Sequence, residues 1–297
     1  LTELHPQIAA ILAGTAGAPL AADPDPIAMR AEHEATTVVV AAPPEAVAEV
    51  REVGTTRIIV PQDAFGAIVF LHGGGWVVGS PDSYDHLARI LANRSGATVV
   101  LPHYRLAPEH PFPAALEDAE AALALARGLV HGEPVAVAGD SAGGQLAAVL
   151  ARRHPDLALQ ALIYPVLDAA MDTDSYRAFA TGYRLSAADM AWFFQQYGGD
   201  PLDPEVSPGI ATDLTGLPPA VIYLASHDVL RDEGIDYAHR LRGAGVEVKV
   251  EVVRGAVHGF LRWTAIADLA VEALDELGAD LRTALRGEPV PAPVHGV

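Results

Sequence analysis

Cysteine is absent from the 297 residues, which excludes disulfides, thiolate metal sites and a cysteine nucleophile together. Basic charge is scarce: 19 Lys and Arg stand against 38 Asp and Glu, a net charge of −19, and Lys249 is the only lysine. So acidic a surface repels phosphate backbones and anionic headgroups, so neither nucleic acid nor a membrane is expected as a partner. It suits a soluble protein that works on small neutral molecules. No uninterrupted apolar run reaches the roughly 18 residues a membrane span needs. No basic stretch leading into an apolar run opens the chain, so no signal peptide is read and a cytoplasmic protein is expected. The scattered histidines, among them His103 and His110, lack compact ligand spacing, so no metal is expected.

What is present is a chain that is 51% hydrophobic, enough for one large core. Helical spacing is read over residues 4–12 and 27–35, with a turn-rich stretch at 18–26 between them. Residues 47–60 alternate like a β-hairpin turning at Gly54. From Ala67 the pattern becomes regular. Short apolar strands at 67–71, 97–101, 135–138 and 159–164 are separated by helical stretches at 85–93, 114–128 (closed by Gly128) and 145–153. Such alternation predicts an α/β fold, a mostly parallel sheet with helices on both faces. It breaks at 165–218, where a helical patch at 187–197 lies among Pro and Gly, then resumes with strands at 220–225 and 246–253 and helices at 233–242 and 265–285. An interruption of about fifty residues is too long for a plain loop. The expected organisation is N-terminal cap helices at 1–45, core at 46–164, a cap insertion at 165–218, core again at 219–288, and a frayed tail at 289–297.

Three features carry chemistry. Gly139-Asp140-Ser141-Ala142-Gly143 matches G-x-S-x-G directly after a strand and at the opening of a helix. With 27 glycines in 297 residues, chance gives roughly 0.06 such matches over the chain's serines, before that context is demanded. A serine on so sharp a turn is held in a strained backbone, and glycine on either side lets neighbouring backbone approach. The plainer reading is a helix-capping serine in a glycine-rich turn. The second feature, His72-Gly73-Gly74-Gly75-Trp76, also follows a strand. Side-chain-free residues let main-chain N–H groups turn towards a developing oxyanion, with a further donor from Ala142. His72 is read as structural, bracing the loop with Gly73.

The third feature is a base with its orienter. Of twelve histidines only His227, His239, His258 and His295 follow the insertion. His295 lies in the tail and His239 on a helix face, whereas His258 and Asp228 each follow a strand, where parallel sheets place their reactive groups. In this arrangement His258 takes the proton of Ser141, and Asp228 fixes the tautomer. Asp232 competes for the orienting role but reads better as a first-turn helix acid.

Together with Tyr104-Arg-Leu-Ala-Pro-Glu-His-Pro-Phe-Pro113, Asp228-Val-Leu-Arg-Asp-Glu-Gly234 and His258-Gly-Phe260, these motifs resemble the hormone-sensitive-lipase-like esterases of the α/β-hydrolase fold, in their GDSAGG branch. The resemblance covers about 67–285. It implies a helical cap, Ser141, Asp228 and His258 as a triad, Gly74, Gly75 and Ala142 as oxyanion donors, and hydrolysis of small soluble esters of short to medium acyl chain without a cofactor. A monomer or homodimer is expected. Val229 departs from the proline usual after the orienting aspartate, and Glu109 and His110 resemble residues that brace the loop near the site. Trp76, Phe193 and Tyr197 are candidates for a substrate pocket, although aromatic residues at helical spacing are more often packing. An amidase or lipase with the same triad, or a non-catalytic binding protein on the same scaffold, are the alternatives.

Overall fold

A computed structural model describes residues 3–14 and 24–290. Most of the turn-rich stretch at 18–26 and of the tail at 289–297 lies outside them. Eight strands form one sheet: β1 (Glu49–Val53), β2 (Thr56–Val60), β3 (Ala67–Leu71), β4 (Thr98–Pro102), β5 (Val135–Asp140), β6 (Gln160–Ile163), β7 (Ala220–His227) and β8 (Val248–Val257). Their spatial order is β1-β2-β4-β3-β5-β6-β7-β8. The β1–β2 hairpin joins antiparallel, and β3 to β8 with β4 run parallel.

The helices are α1 (Pro6–Gly14), α2 (Pro26–Val40), α3 (Pro81–Ser95), α4 (Ala114–Val130), α5 (Ala142–Arg153), α6 (Asp174–Ala178), α7 (Ala187–Tyr197), α8 (Arg231–Gly243) and α9 (Asp268–Leu285). Successive strand residues face opposite sides, so each strand feeds two cores. Val69, Leu71, Val137 and Leu162 pack with α4, α5 and α8. Ile68, Phe70, Ala136 and Ile163 pack with α3 and α9. With both faces covered, the central strands are apolar throughout instead of alternating.

Several boundaries differ from expectation for local reasons. Helix α2 continues to Val40 although its last residues, Thr36 to Val40, are β-branched and disfavour helix. Tertiary burial of Thr37 and Val40 outweighs that preference, and Thr37 Oγ1 donates back to the His33 carbonyl. Helix α4 is not closed by Gly128 but runs to Val130, where His131 takes up the left-handed conformation. Strand β8 extends to Val257, so His258 hangs directly off its carboxyl end. Residues 165–218 contain no strand, only α6, α7 and a turn of 3-10 helix at Pro208–Ile210.

The chain leaves β3 for β4 on one side and returns to β5 on the other. By the general rule for open α/β sheets such a reversal marks the ligand crevice, here beyond the carboxyl ends of β3 and β5, where His72–Gly75 and Ser141 emerge.

Candidate active site

Ser141 stands between β5 and α5 with φ +56° and ψ −121°, a conformation that costs a non-glycine residue energy and persists only where the surroundings enforce it. They do so by close approach. A Cβ on Gly139 would lie 2.2 Å from the Gly143 carbonyl oxygen, and one on Gly143 would lie 1.9 Å from that of Leu71. The Ser141 N–H donates to the Ile163 carbonyl at 2.8 Å, and the Val166 N–H donates to the Ser141 carbonyl at 3.1 Å. The turn is thereby fastened to the end of β6.

His258 Nε2 lies 2.9 Å from Ser141 Oγ, and its Nδ1 lies 2.7 Å from Asp228 Oδ2. All three residues are buried. The His258 ring rests on Tyr164, with ring centres 4.7 Å apart. Asp232 takes no part in this chain. Its carboxylate accepts from the Ser175 N–H and from Arg231 Nε, so it ties α8 to α6. His227 is buried against Phe179 and Tyr183. Val229 is fully buried, and its carbonyl accepts from Ser175 Oγ at 2.6 Å. A valine serves there because the backbone oxygen does the bonding.

The glycine loop is held from below. The Gly73 N–H donates to Asp140 Oδ1 at 2.7 Å, and Tyr84 Oη donates to Asp140 Oδ2 at 3.0 Å. Burial pushes the Asp140 carboxyl up, against the lowering effect of the Tyr84 hydrogen bond. His72 stacks on Tyr104 at 4.1 Å, and burial brings its imidazole down to about 3, so it packs as a neutral ring. Tyr104 Oη donates to the His72 carbonyl at 2.8 Å. Gly74 has φ +123°, and a Cβ there would lie 2.2 Å from the Val78 carbonyl oxygen. Among the described residues no protein acceptor takes the N–H of Gly74, Gly75 or Ala142. Unpaired buried donors are costly unless something arrives to use them.

Two of the three aromatic residues expected at a substrate pocket are placed elsewhere. Trp76 and Tyr197 are fully buried and stacked on each other at 4.1 Å, and Trp76 Nε1 donates to Gln145. Their large faces find a better partner in one another than in an open cleft. The Phe193 ring lies over the glycine loop, so close to Gly75 that a Cβ there would be 2.1 Å from it. Glu109 accepts two hydrogen bonds from Arg30 of α2 (2.8 and 2.6 Å), and Arg30 also donates to the Val77 and Ala107 carbonyls. His110 shows only a backbone hydrogen bond to Leu106.

Asp140 was legible as part of its motif but not as the holder of Gly73, because that contact joins residues 67 apart. Glu233, also inside a quoted motif, is buried with its carboxyl pushed well up by desolvation, and it accepts from the Leu167 N–H at 2.7 Å.

Residues 68–262 match a family of the alpha/beta hydrolase fold. The carboxylic ester hydrolase LipN of Mycobacterium tuberculosis is 41% identical over 73% of this chain and 63% of its own. The chain belongs to the hormone-sensitive-lipase-like carboxylesterases. The ethyl acetate hydrolase of Pseudomonas putida, another relative, is 41% identical over 72% of this chain and 73% of its own. Among solved structures, the hyperthermophilic esterase of the archaeon Pyrobaculum calidifontis superimposes with a TM-score of 0.88 at 36% identity, covering 95% of this chain and 98% of that one. Family membership accounts for the eight-stranded sheet and the two glycine-flanked turns at its carboxyl edge. Among the described residues no helix is long and apolar enough to cross a membrane.

Proposed function

We propose that this chain hydrolyses small carboxylic esters of short to medium acyl chain through an acyl-enzyme on Ser141. The observation that carries this reading is the hydrogen-bonded series from Ser141 Oγ through both ring nitrogens of His258 to Asp228. Ser141 Oγ attacks the ester carbonyl as its proton passes to His258 Nε2. Asp228 holds the Nδ1–H tautomer and stabilises the imidazolium that forms. The carbonyl oxygen, now negative, is met by the N–H groups of Gly74, Gly75 and Ala142 at the opening of α5. His258 then returns the proton to the departing alcohol. Water, deprotonated by the same imidazole, attacks the acyl group and frees the acid and Ser141.

The acyl-length preference is supported by Phe193, whose ring covers Gly75 and narrows the space above the donors. We read residues 1–45 and 165–218 as the two parts of a cap over the crevice. Arg30 of α2 fastens the first part to the loop after the glycines, and Phe193 of α7 brings the second part over it.

The test is hydrolysis of a p-nitrophenyl ester series from acetate to palmitate by the wild type and by Ser141→Ala. Rates should peak at short chains and fall by about 10⁴-fold or more in the variant. Equal rates in both proteins would sink the assignment, and a maximum at palmitate would remove the short-chain preference.

A further inference from the structure

Arg184 lies between α6 and α7, in the stretch that arches over the crevice. Its backbone is left-handed, with φ +66°, which a bulky residue rarely adopts without a constraint. Its Nε would lie 3.3 Å from a Cβ on Gly259, the residue that follows His258. The guanidinium carbon sits 5.1 Å from the centre of the Trp263 ring. The side chain is therefore laid along the turn that carries the candidate base.

Charge makes this placement unusual. Arg30, Arg57, Arg94, Arg105 and Arg153 each meet a carboxylate. No such ion pair, and no hydrogen bond, reaches Arg184 from the described residues. Its charged neighbour is another cation, the buried Arg262, with His33 beyond. Arg184 keeps a face open to water, while protein crowds its other sides. That crowding, more than Arg262, brings the guanidinium down to about 10, so it stays a cation at neutral pH. A chain with 38 acidic residues and 19 basic ones thus leaves a partly exposed cation without a carboxylate partner beside the turn that carries His258. Arginine's planar fork matches a carboxylate.

We propose that Arg184 is a specificity residue that receives a carboxylate borne by the ester substrate, so that anionic esters are preferred over neutral ones of the same shape. This rests on the ester-hydrolase reading and narrows its substrate class. The carboxylate can sit on the acyl portion, as in a half-ester of a dicarboxylic acid, or on the alcohol portion, as in an acylated hydroxy acid. Both present the same group to the guanidinium.

Two matched pairs separate these sources: monoethyl succinate against ethyl pentanoate, and 3-acetoxypropanoate against butyl acetate. The quantity read is the ratio of kcat/KM for the anionic ester to that for its neutral partner. In at least one pair that ratio should fall about tenfold in Arg184→Gln, the size expected for losing a partly exposed charge-assisted hydrogen bond. Arg184→Lys should fall between, because it keeps the charge without the fork. Salt at 0.5 M should lower the wild-type ratio and leave that of Arg184→Gln in place. A ratio unchanged within twofold in both pairs overturns the proposal. Absence of Ser141-dependent turnover on every ester strikes the ester-hydrolase reading instead. In that event calorimetric titration of the two anionic esters into Ser141→Ala, with and without Arg184→Gln, reads the carboxylate site directly. Equal affinities would overturn it there too.

Discussion

The floor of the crevice and the cap that we propose as its roof are built on different principles. The floor, from Leu71 to Gly75 and from Gly139 to Gly143, is a backbone-on-backbone contact. Carbonyl oxygens lie where a methyl group would need to be, and the buried Asp140 carboxylate ties the loop down by accepting from the Gly73 N–H and from Tyr84 Oη. The roof rests on side chains: Arg30 on Glu109, Arg262 on Thr37, Phe193 on Gly75. A floor made this way admits almost no substitution, because no rotamer change relieves a backbone clash. Side-chain contacts yield, so a roof made of them can diverge while the chemistry beneath is kept. The difference separates what this protein does from what it does it to.

The comparison breaks first at Gly143. Gly143→Ala sets a methyl 1.9 Å from the Leu71 carbonyl oxygen, and we expect a loss of about 4 kcal/mol or more, or failure to fold, read by chemical denaturation. A variant of wild-type stability would show that the floor can yield.

Acid should act on floor and roof together. Burial holds His33 of α2, His72 of the glycine loop and His86 of α3 neutral, at about 2, 3 and 4 against 6.5. Below pH 6.5 the unfolded chain takes up protons that the folded chain refuses. Stability is therefore full above that pH and falls as pH drops, each residue's share levelling off only as its folded value is passed. Each should contribute a slope of about 1.4 kcal/mol per pH unit. Thermal unfolding from pH 7 to 4 should show this fall, and His33→Asn should flatten it by about one proton. An unchanged slope in the variant would mean that His33 charges within the fold.

Asp140→Ala removes the acceptor of the Gly73 N–H and should lower kcat about 100-fold, with KM less affected, because the donors of the loop lose their fixed aim. A change confined to KM would speak against that role. Smallest is Glu109→Gln, which weakens an exposed ion pair and should cost less than about 1 kcal/mol by denaturation. Arg30 holds the Glu109 carboxyl down to about 2. The contribution is present above the ordinary glutamate range, near 4.5, and fades as pH falls towards 2. A larger loss would make the roof as stiff as the floor.

The same division governs what could be read from the sequence. Strands such as Ala67–Leu71 and the helical patch at Ala187–Tyr197 are set by local pattern, and both stand where that pattern puts them. The reach of β8 to Val257 was hidden because Arg254 and Gly255 interrupt its apolar run. Ser141, Asp228 and His258 could be named from motif and chain order, since glycine spacing around a strained turn is a local requirement. Arg184 carries no such mark. Its significance depends on Gly259 and Trp263, both more than seventy residues away, and on a carboxylate that is missing. Trp76 and Tyr197 misled for the same reason. Spacing cannot say whether an aromatic face meets a cleft or another ring.

The candidate base, His258, follows β8, which among the described residues is the border strand of the sheet. In the order β5-β6-β7-β8, Ser141 and His258 spring from strands three places apart, about 14 Å of sheet width. The gap is bridged by the Ser141–His258 hydrogen bond, and between the two strands the His258 ring leans on Tyr164, just after β6. Loosening of that border should therefore disturb the proposed Ser141–His258 proton transfer before the middle of the sheet melts. On warming, turnover should fade while circular dichroism still records an intact fold, and a smaller residue at 164 should widen the gap between those two temperatures.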